Sequence, residues 1–397
     1  MTVAGRPGRF SPRSTRRPHV RNGNVLISGA SIAGPALAYW LRRHGFNPTV
    51  VEKSPGLRPG GQAIDVRGSA LGVAERMGLL ADIRRASTAM RGMSFVGDDG
   101  EVLYSTTEET LTGGATDGED VEILRDDLVG ILYRATRDDV EYLFDDSITA
   151  LSQGDDEVRV TFERAEPRTF DLVIGADGLH SNVRALAFGE ESRFITHLGT
   201  YLSVFTTDNF LDLDHWQVFH RTADKMSGLY SARNNTEARA ILGFESPPLD
   251  YDRRDTTRQK QIIADHFADD GWETPRLLKA MWDAPDFHFD SMSQIRMDSW
   301  SNGRVSLIGD AGYCGSPLSG QGTSLALVGA YVLAGELMAA DGDHRTGLAR
   351  YEEELRGFVE LNQDFALRMN EWQRDQSGEM PDIQRLSNAI TLKDYPR

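Results

Sequence analysis

A glycine-rich turn near the start of the chain has the residue types of a phosphate-binding loop. Gly29 permits a tight turn, Ser31 is small enough to leave room for a phosphate, and Gly34 lets a helix approach a strand closely. The turn lies between an apolar segment, residues 24–28, and residues 32–44, whose apolar side chains have helical spacing. Such a helix offers free N–H groups and a positive dipole end to a pyrophosphate. The pattern predicts nucleotide binding, although the turn alone would also suit a purely structural role.

A carboxylate follows where a nucleotide ribose is usually bound. A second apolar strand, residues 48–52, ends at Glu52, about 20 residues after the turn, where an acidic residue accepts hydrogen bonds from a ribose. The strand, turn, helix and second strand together form a β-α-β unit of the usual size, about 30 residues. This arrangement predicts a dinucleotide cofactor.

Two aspartates each follow a later apolar strand. Asp177 lies in a Gly-Ala-Asp-Gly turn after residues 172–174, and Asp310 follows residues 305–308. The carboxyl ends of parallel strands form the ligand side of such a sheet, so both aspartates are candidate cofactor contacts. By themselves they would also suit helix caps in ordinary strand-to-helix turns.

A second glycine-rich loop follows Asp310. Pro317, Gly320 and Gly322 precede residues 323–340, an almost wholly apolar run. The glycines allow backbone N–H groups to approach a ligand, and the positive end of the following helix could stabilise negative charge on it. The run is long enough for a short membrane span, but its lack of basic flanking residues and its place in the motif predict a buried core helix.

These motifs, in this order, resemble those of the class A flavoprotein monooxygenases, the aromatic-hydroxylase superfamily. The specific stretches are D-x-V-I-G-A-D-G-x-x-S-x-V-R, which begins at Asp171, and G-R-V-x-L-I-G-D-A, which begins at Gly303. Residues 58–68 and 123–128 are most similar to segments of the tetracycline-inactivating monooxygenases and related polyketide hydroxylases. The resemblance covers residues 24–372.

The order of elements and the resemblance together predict an α/β fold. A Rossmann-like FAD-binding domain would carry an inserted antiparallel β-sheet substrate domain and a long C-terminal helix. The predicted boundaries are a disordered basic tail at 1–23, an FAD-binding domain at 24–82, 111–188 and 289–345, a substrate domain at 83–110 and 189–288, the helix at 346–376, and a tail at 377–397.

The resemblance also implies the chemistry. A flavin hydroperoxide would insert one oxygen atom from molecular oxygen into a small organic substrate, so no side chain is predicted to be catalytic. NADPH or NADH would bind transiently, in contact with Arg58, and reduce the flavin. The predicted cofactor-binding residues are Gly29, Ser31, Gly34, Glu52, Lys53, Asp65, Arg125, Asp177, Asp310, Pro317, Gly320 and Gly322.

The substrate is expected to be a polycyclic aromatic or polyketide-like compound. Residues 196–245 alternate apolar and polar side chains irregularly, as in antiparallel sheet, and bring aromatic and Met side chains that suit a broad apolar pocket. The predicted pocket residues are Phe219, His220, Met226 and Tyr230, although each is more often plain core. The tetracycline-contacting Gln and Arg of the resembling enzymes have no match in this segment.

The chain departs from the family pattern in the second glycine-rich loop. Gly312-Tyr313 stands where Ala-His is common, Ser324 replaces a frequent Asn, and Gly329 replaces a frequent Asp. These changes affect the expected details of the loop and leave the expected fold unchanged.

Composition narrows the remaining possibilities. The chain of 397 residues has a net charge of −17, which disfavours nucleic-acid partners, and a single cysteine, which excludes an internal disulfide or a cysteine-built metal cluster. No apolar run suitable for a secretory signal occurs near the start, so we expect a cytoplasmic protein. We also expect a monomer or homodimer, without a metal site. A flavin oxidase or reductase, or a non-catalytic FAD-binding protein, remains an alternative on the same fold.

Overall fold

The computed structural model describes residues 22–111, 115–375 and 382–396. The predicted basic tail, 1–23, lies outside the described residues except for its last two positions. The first strands are β1 (Asn24–Ser28), β2 (Asn47–Glu52), β3 (Ala63–Val66), β4 (Met93–Val96), β5 (Val102–Thr106), β6 (Val121–Leu124), β7 (Glu141–Phe144), β8 (Ile148–Gln153) and β9 (Val158–Phe162). The remaining strands are β10 (Arg168–Phe170), β11 (Leu172–Gly175), β12 (Ile195–Thr207), β13 (Gln217–Arg221), β14 (Lys225–Ala232), β15 (Glu237–Glu245), β16 (His288–Ile295), β17 (Ser301–Asn302) and β18 (Val305–Leu307).

The helices follow the same numbering along the chain. They are α1 (Ala33–Arg43), α2 (Ser69–Met77), α3 (Leu80–Arg85), α4 (Arg125–Arg134), α5 (Asn182–Phe188), α6 (Thr256–His266), α7 (Thr274–Asp283), α8 (Asp310–Tyr313), α9 (Gly322–Ala339), α10 (His344–Asp375) and α11 (Ile383–Ser387). Two short 3₁₀ helices, Glu191–Arg193 and Pro317–Ser319, lie beside the site described below.

The first sheet positions the glycine-rich turn. Its strands lie in the order β17-β18-β11-β1-β2-β7, and every neighbouring pair from β18 to β7 is parallel. Helices α1 and α9 pack on one face of the sheet, and the three-stranded sheet β10-β9-β8 with α5 packs on the other. Because both faces are buried, β1 and β11 are continuous apolar runs. Five parallel strands therefore end at one shared edge.

The second sheet lies beside the carboxyl edge of the first, since His288 of β16 interacts with Arg58 and Arg125, and Asp290 of β16 interacts with Asp310. The region between that edge and the second sheet is called the cleft below. The strand order of the second sheet is β16-β12-β15-β14-β13-β4-β5. The pairs are antiparallel, as predicted, except that β13 and β4 are parallel. Because β4 comes from a distant part of the chain, no hairpin fixes its direction. One face of the sheet packs on α6 and α7, and the other faces β3 and β6.

The apolar helix α9 lies in the core of the protein. By length and composition it is the one candidate membrane span within the described ranges, and 83% of it is buried inside the protein. It packs against α1, α2 and α10, so it is apolar all round because it has protein on several sides.

The α/β fold class and the long C-terminal helix are confirmed, but two details differ from the predicted boundaries. Residues 289–295, assigned to the FAD-binding domain, belong to β16, which pairs with β12 in the second sheet. In the predicted tail, residues 382–396 contain α11, and the Lys393 ammonium and Tyr395 hydroxyl contact the buried carboxylate of Glu336 at 3.0 and 2.8 Å. These long-range contacts order a segment that has no strong local pattern.

Candidate cofactor and substrate site

Four of the predicted cofactor elements lie along one edge of the parallel sheet. Strands β18, β11, β1 and β2 are neighbours, and their carboxyl ends lead to Asp310, Asp177, the Gly29 turn and Glu52 in that order. The order follows from the topology, since all four strands run in the same direction. Motifs as far apart in sequence as Gly29 and Asp310 are thereby brought into one row.

The carboxylate of Glu52 holds the glycine-rich turn. Its Oε2 accepts a hydrogen bond from the Ala30 amide at 2.8 Å, and its Oε1 accepts one from the Ser54 amide at 2.9 Å. Gly29 has a φ of +108°, and a Cβ at Gly34 would overlap the carbonyl oxygen of Gly29. Both glycines are therefore required by the backbone.

The start of α1 is accessible beside that turn. Ser31 is half-buried there, and Lys53 is exposed next to Glu52. An accessible helix start of this kind can bind a phosphate.

Arg125 joins three segments around the turn. Its Nη2 donates to the carbonyl oxygens of Arg58 and Gly60 at 3.1 Å each, and its Nη1 donates to the Ser31 hydroxyl at 3.3 Å. Burial, and next the charge of Arg58, lower the pKa of Arg125 to about 10, so its guanidinium stays charged at neutral pH. Arg58 is exposed. Two neighbouring guanidinium groups at this end of the cleft favour an anionic ligand.

Asp177 organises the loop that follows β11. Its Oδ1 accepts from the Ser181 hydroxyl at 2.5 Å and its Oδ2 from the Val183 amide at 3.0 Å, so it holds the first turn of α5. Burial raises the pKa of this carboxyl, although the hydrogen bonds oppose the shift. Asp177 thus has a structural role beside its expected position near the cofactor phosphates.

Asp310 is exposed to the cleft, yet it is surrounded by protein. Its side chain is solvent-accessible, while desolvation by the walls of the cleft raises the pKa of its carboxyl. A hydrogen bond with the Cys314 thiol opposes that shift, and the charge of Asp290 adds to it. Cys314 is itself buried, and burial raises the pKa of its thiol, so it is held as the neutral thiol. A carboxylate open only toward a cleft is well placed to accept hydrogen bonds from a bound hydroxyl.

The second glycine-rich loop presents the start of α9 to the same cleft. Gly320 has a φ of +60°, and Gly322, the first residue of α9, is exposed with open space where a Cβ would point. Pro317 is exposed at the start of the loop. Residues 323–337 of α9 are buried, so Gly322 is the part of the positive end of the helix that is available to a ligand.

The departures from the family pattern in this loop are coupled to each other. A Cβ at Gly329 would overlap the hydroxyl of Tyr313, so a larger residue at 329 requires a smaller one at 313. The Tyr313 hydroxyl accepts a hydrogen bond from that of Tyr351 at 3.0 Å. The loop therefore repacks around a buried tyrosine pair.

The structure does not bring Asp65 to the open surface of the cleft. Its carboxylate is buried and pairs with the buried guanidinium of Arg67 at 2.8 Å. Its contact with FAD stays a prediction, and its observed partner is Arg67.

Three of the four predicted substrate residues share one face of the second sheet. Phe219, Met226 and Tyr230 face β3 and β6, and the Tyr230 hydroxyl accepts a hydrogen bond from the Ala63 amide at 2.7 Å. His220 points to the opposite face because successive residues of a strand alternate. There its Nε2 contacts Asp98 at 2.7 Å and its ring stacks on Trp272. His220 is thus separated from the other three.

Sequence reasoning missed two ionisable residues at the cleft. His288 and Asp290 alternate with the buried Phe289 in β16, so both point to one face. His288 is solvent-accessible, but desolvation by the surrounding protein and the neighbouring charge of Arg58 lower its pKa, and burial raises the pKa of Asp290. The signal available in the sequence was this alternation of charged and apolar residues in a strand.

Comparison with known proteins assigns the family. A family model described as "FAD binding domain" matches residues 22–366, so the chain belongs to that family. A flavin-dependent monooxygenase of Legionella longbeachae is 42% identical, covering 94% of this chain and 99% of the relative. An uncharacterized protein of Mycobacterium tuberculosis is 57% identical over 94% of this chain and 99% of its own length. Among solved structures, that of tetracycline destructase Tet(51) has a TM-score of 0.85 and 39% identity, covering 96% of this chain and 100% of that one.

The chain is therefore an FAD-dependent monooxygenase, an enzyme that uses molecular oxygen and a small-molecule substrate. The residues present fit the cofactor. The row of strand ends supplies a helix start for a pyrophosphate, carboxylates for hydroxyl groups and an accessible positive helix end.

Proposed function

We propose that this enzyme takes reducing equivalents from NADPH or NADH and inserts one oxygen atom into a fused-ring aromatic or polyketide-like compound. The observation that carries the proposal is the 39% identity with tetracycline destructase Tet(51) over 96% of the chain. When bound, FAD supplies the redox chemistry, accepting hydride from the nicotinamide and activating oxygen.

The protein's own residues would bind and orient the reactants. Glu52 and the start of α1 would hold the adenosine and pyrophosphate portion of FAD, and Asp310 would accept a hydrogen bond from its ribityl chain. Asp177 and Lys53 would lie near the phosphates, and the loop with Pro317, Gly320 and Gly322 would face the flavin ring.

Arg58 is the proposed contact for the nicotinamide cofactor. It is exposed, it lies beside Arg125, and its fixed positive charge suits a phosphate group. Only its backbone carbonyl accepts a hydrogen bond from Arg125, so its side chain would be free to bind and release a transient partner without disturbing FAD.

The second sheet would supply the substrate wall. Met226 is half-buried, next to the buried Phe219, and Gly228 opposite Phe219 leaves the space that its ring occupies. An apolar wall with few polar anchors favours a large aromatic ligand over a small benzoate.

The decisive experiment supplies oxygen, NADPH and one candidate substrate at a time. Fused-ring phenols, tetracycline among them, should stimulate NADPH oxidation and yield a product heavier by one oxygen atom. Simple hydroxybenzoates are the comparison set. If a hydroxybenzoate is hydroxylated with tight coupling while fused-ring phenols neither stimulate oxidation nor react, the substrate assignment is wrong.

A further inference from the structure

A chain of three ionisable side chains lies outside the residues assigned above. His180, in the loop before α5, stands between Glu191 and Asp290. Its Nδ1 is 3.0 Å from both carboxylate oxygens of Glu191, and its Nε2 is 3.1 Å from both of Asp290. Only a doubly protonated imidazole can donate to both carboxylates at once.

The outer end of this chain reaches the protein surface. Glu191 accepts hydrogen bonds from Arg184 and Arg253 at 2.9 Å each. The Arg253 side chain is 48% exposed and also contacts the ring of His180, whereas that of Arg184 is fully buried. Two guanidinium groups therefore hold Glu191 in position against Nδ1 of His180, and the His180 side chain is itself 25% exposed to solvent.

The inner end opens into the cleft. Asp290 lies on the same face of β16 as the exposed His288, and its charge is close enough to Asp310 to raise the pKa of that carboxyl. The other titratable groups that feel the charge of Asp290 are Cys314, Tyr201 and Tyr251. The chain thus runs from solvent to the wall that also carries the proposed ribityl contact.

We propose that Glu191, His180 and Asp290 form a proton relay between solvent and the cleft. In one transfer the doubly protonated ring of His180 gives its Nε2 proton to Asp290, while Nδ1 keeps its proton and its hydrogen bond to Glu191. Asp290 then passes the proton to an acceptor in the cleft, and Nε2 regains a proton from water, since the His180 side chain is 25% exposed. Each step breaks one bond to hydrogen and forms another.

The proposed oxygenation requires a supply of protons. Monooxygenation converts RH, O₂, NAD(P)H and H⁺ into ROH, NAD(P)⁺ and H₂O, and so consumes one proton per turnover. The relay rests on the proposed function to the extent that its proton is the one consumed in this oxygenation. Reoxidation of the anionic reduced flavin, FADH⁻, by oxygen to FAD and H₂O₂ likewise takes up one proton, so the relay can be tested without the proposed nicotinamide donor or substrate.

The first test measures flavin reoxidation. The FAD-loaded protein is reduced with dithionite and mixed with oxygenated buffer in a stopped-flow instrument from pH 6 to pH 9. His180→Gln should slow reoxidation by about 10-fold or more and change its pH profile, within the range of a lost acid–base group. Added imidazole should partly restore the rate, and Asp290→Asn should show the same loss.

His215→Gln is the matched control. His215 also pairs with a carboxylate, that of Asp214 at 2.8 Å, but lies at the far side of the second sheet. It should behave as wild type. FAD absorbance and thermal unfolding establish that each variant is folded and loaded, and the second variant keeps the test valid if His180→Gln fails to fold.

The second test does not depend on activity. Nitrogen-15 NMR of histidine-labelled protein reports the protonation of each ring nitrogen, and the signal of His180 should show both nitrogens protonated near neutral pH. A singly protonated ring would overturn the relay, and so would wild-type reoxidation rates and pH profile in folded His180→Gln. Failure of the substrate experiment with intact relay results would instead refute only the proposed substrate.

Discussion

The buried guanidinium of Arg184 donates a hydrogen bond to the carbonyl oxygen of Ala311 at 2.8 Å, across 127 positions of sequence. Its other Nη donates to the Leu179 carbonyl at 2.6 Å and to Glu191. The loop that carries Asp177 is therefore fastened to the loop that carries Asp310. This contact adds to the pairing of β11 with β18, which already places the two loops side by side.

Replacing Arg184 should destabilise the whole protein. Arg184→Met leaves buried carbonyl oxygens and the Glu191 carboxylate without this partner, which should cost about 3 kcal/mol or more. Urea unfolding of purified protein measures the change. Arg168→Met removes an exposed ion pair with Glu141 and should cost less than about 1 kcal/mol. Equal losses in the two variants would contradict the role of Arg184.

Asp310→Ala should weaken FAD binding. Removing the carboxylate leaves a bound hydroxyl without its acceptor, which costs about 1–3 kcal/mol, or roughly 5- to 150-fold in affinity. Titration of FAD-free protein with FAD measures this. Asp310→Asn retains an acceptor oxygen, so its FAD affinity should lie between those of the wild type and Asp310→Ala. Unchanged affinity in the alanine variant would remove Asp310 from the site.

The same residue should make the stability of the FAD-free protein depend on pH. Because the pKa of Asp310 is raised in the folded state, the folded protein holds this proton more tightly than the unfolded chain. The stabilisation that this proton gives is fully present below the pKa of Asp310 in the unfolded chain. It is lost as the pH rises through the pKa of Asp310 in the folded protein. Asp310→Asn should therefore be more stable than wild type at neutral pH, with the difference vanishing below about pH 4. Urea unfolding at several pH values measures it, and a pH-independent difference would be inconsistent with this cause.

Arg58→Ala should slow flavin reduction and leave FAD bound. The exposed guanidinium is proposed to contact the nicotinamide cofactor, while FAD is held by other groups. Anaerobic stopped-flow experiments at varied NADPH and NADH concentrations measure the rate of flavin reduction. This rate should depend on nucleotide concentration at least several-fold more weakly in the variant than in the wild type. Arg91→Ala is the control, since Arg91 pairs with Asp214 at the surface. Reduction of the Arg58 variant at the wild-type rate would rule out this contact.

Met226→Ala should raise the KM for a productive aromatic substrate several-fold and leave FAD affinity and reduction unchanged. Met226 lies on the cleft-facing side of the second sheet, and truncation removes apolar contact worth about 1–2 kcal/mol. His220→Gln is informative beside it, because His220 lies on the other face and should leave KM unchanged. A raised KM in His220→Gln together with an unchanged KM in Met226→Ala would show that the substrate lies elsewhere.

The cofactor motifs were predictable from the sequence because each is local. A turn, a strand end and a helix start are all determined by neighbouring residues, so the positions of Gly29, Gly34, Glu52 and Asp310 in such elements could be predicted before any fold was known, while their contacts with FAD stay predictions. Their assembly in one row also followed, since parallel strands must end at a common edge. The buried α9 was predictable from an apolar run beside that motif.

Only the tertiary structure decided the contacts between segments that no local sequence pattern relates. The opposite orientation of His220, the burial of Asp65 against Arg67, and the direction of β4 depend on strand register and on long-range pairing. The same holds for His180, which meets Glu191 and Asp290 only because β16 joins the second sheet beside β12. Sequence fixes which side chains are available, whereas packing between distant segments determines which of them meet.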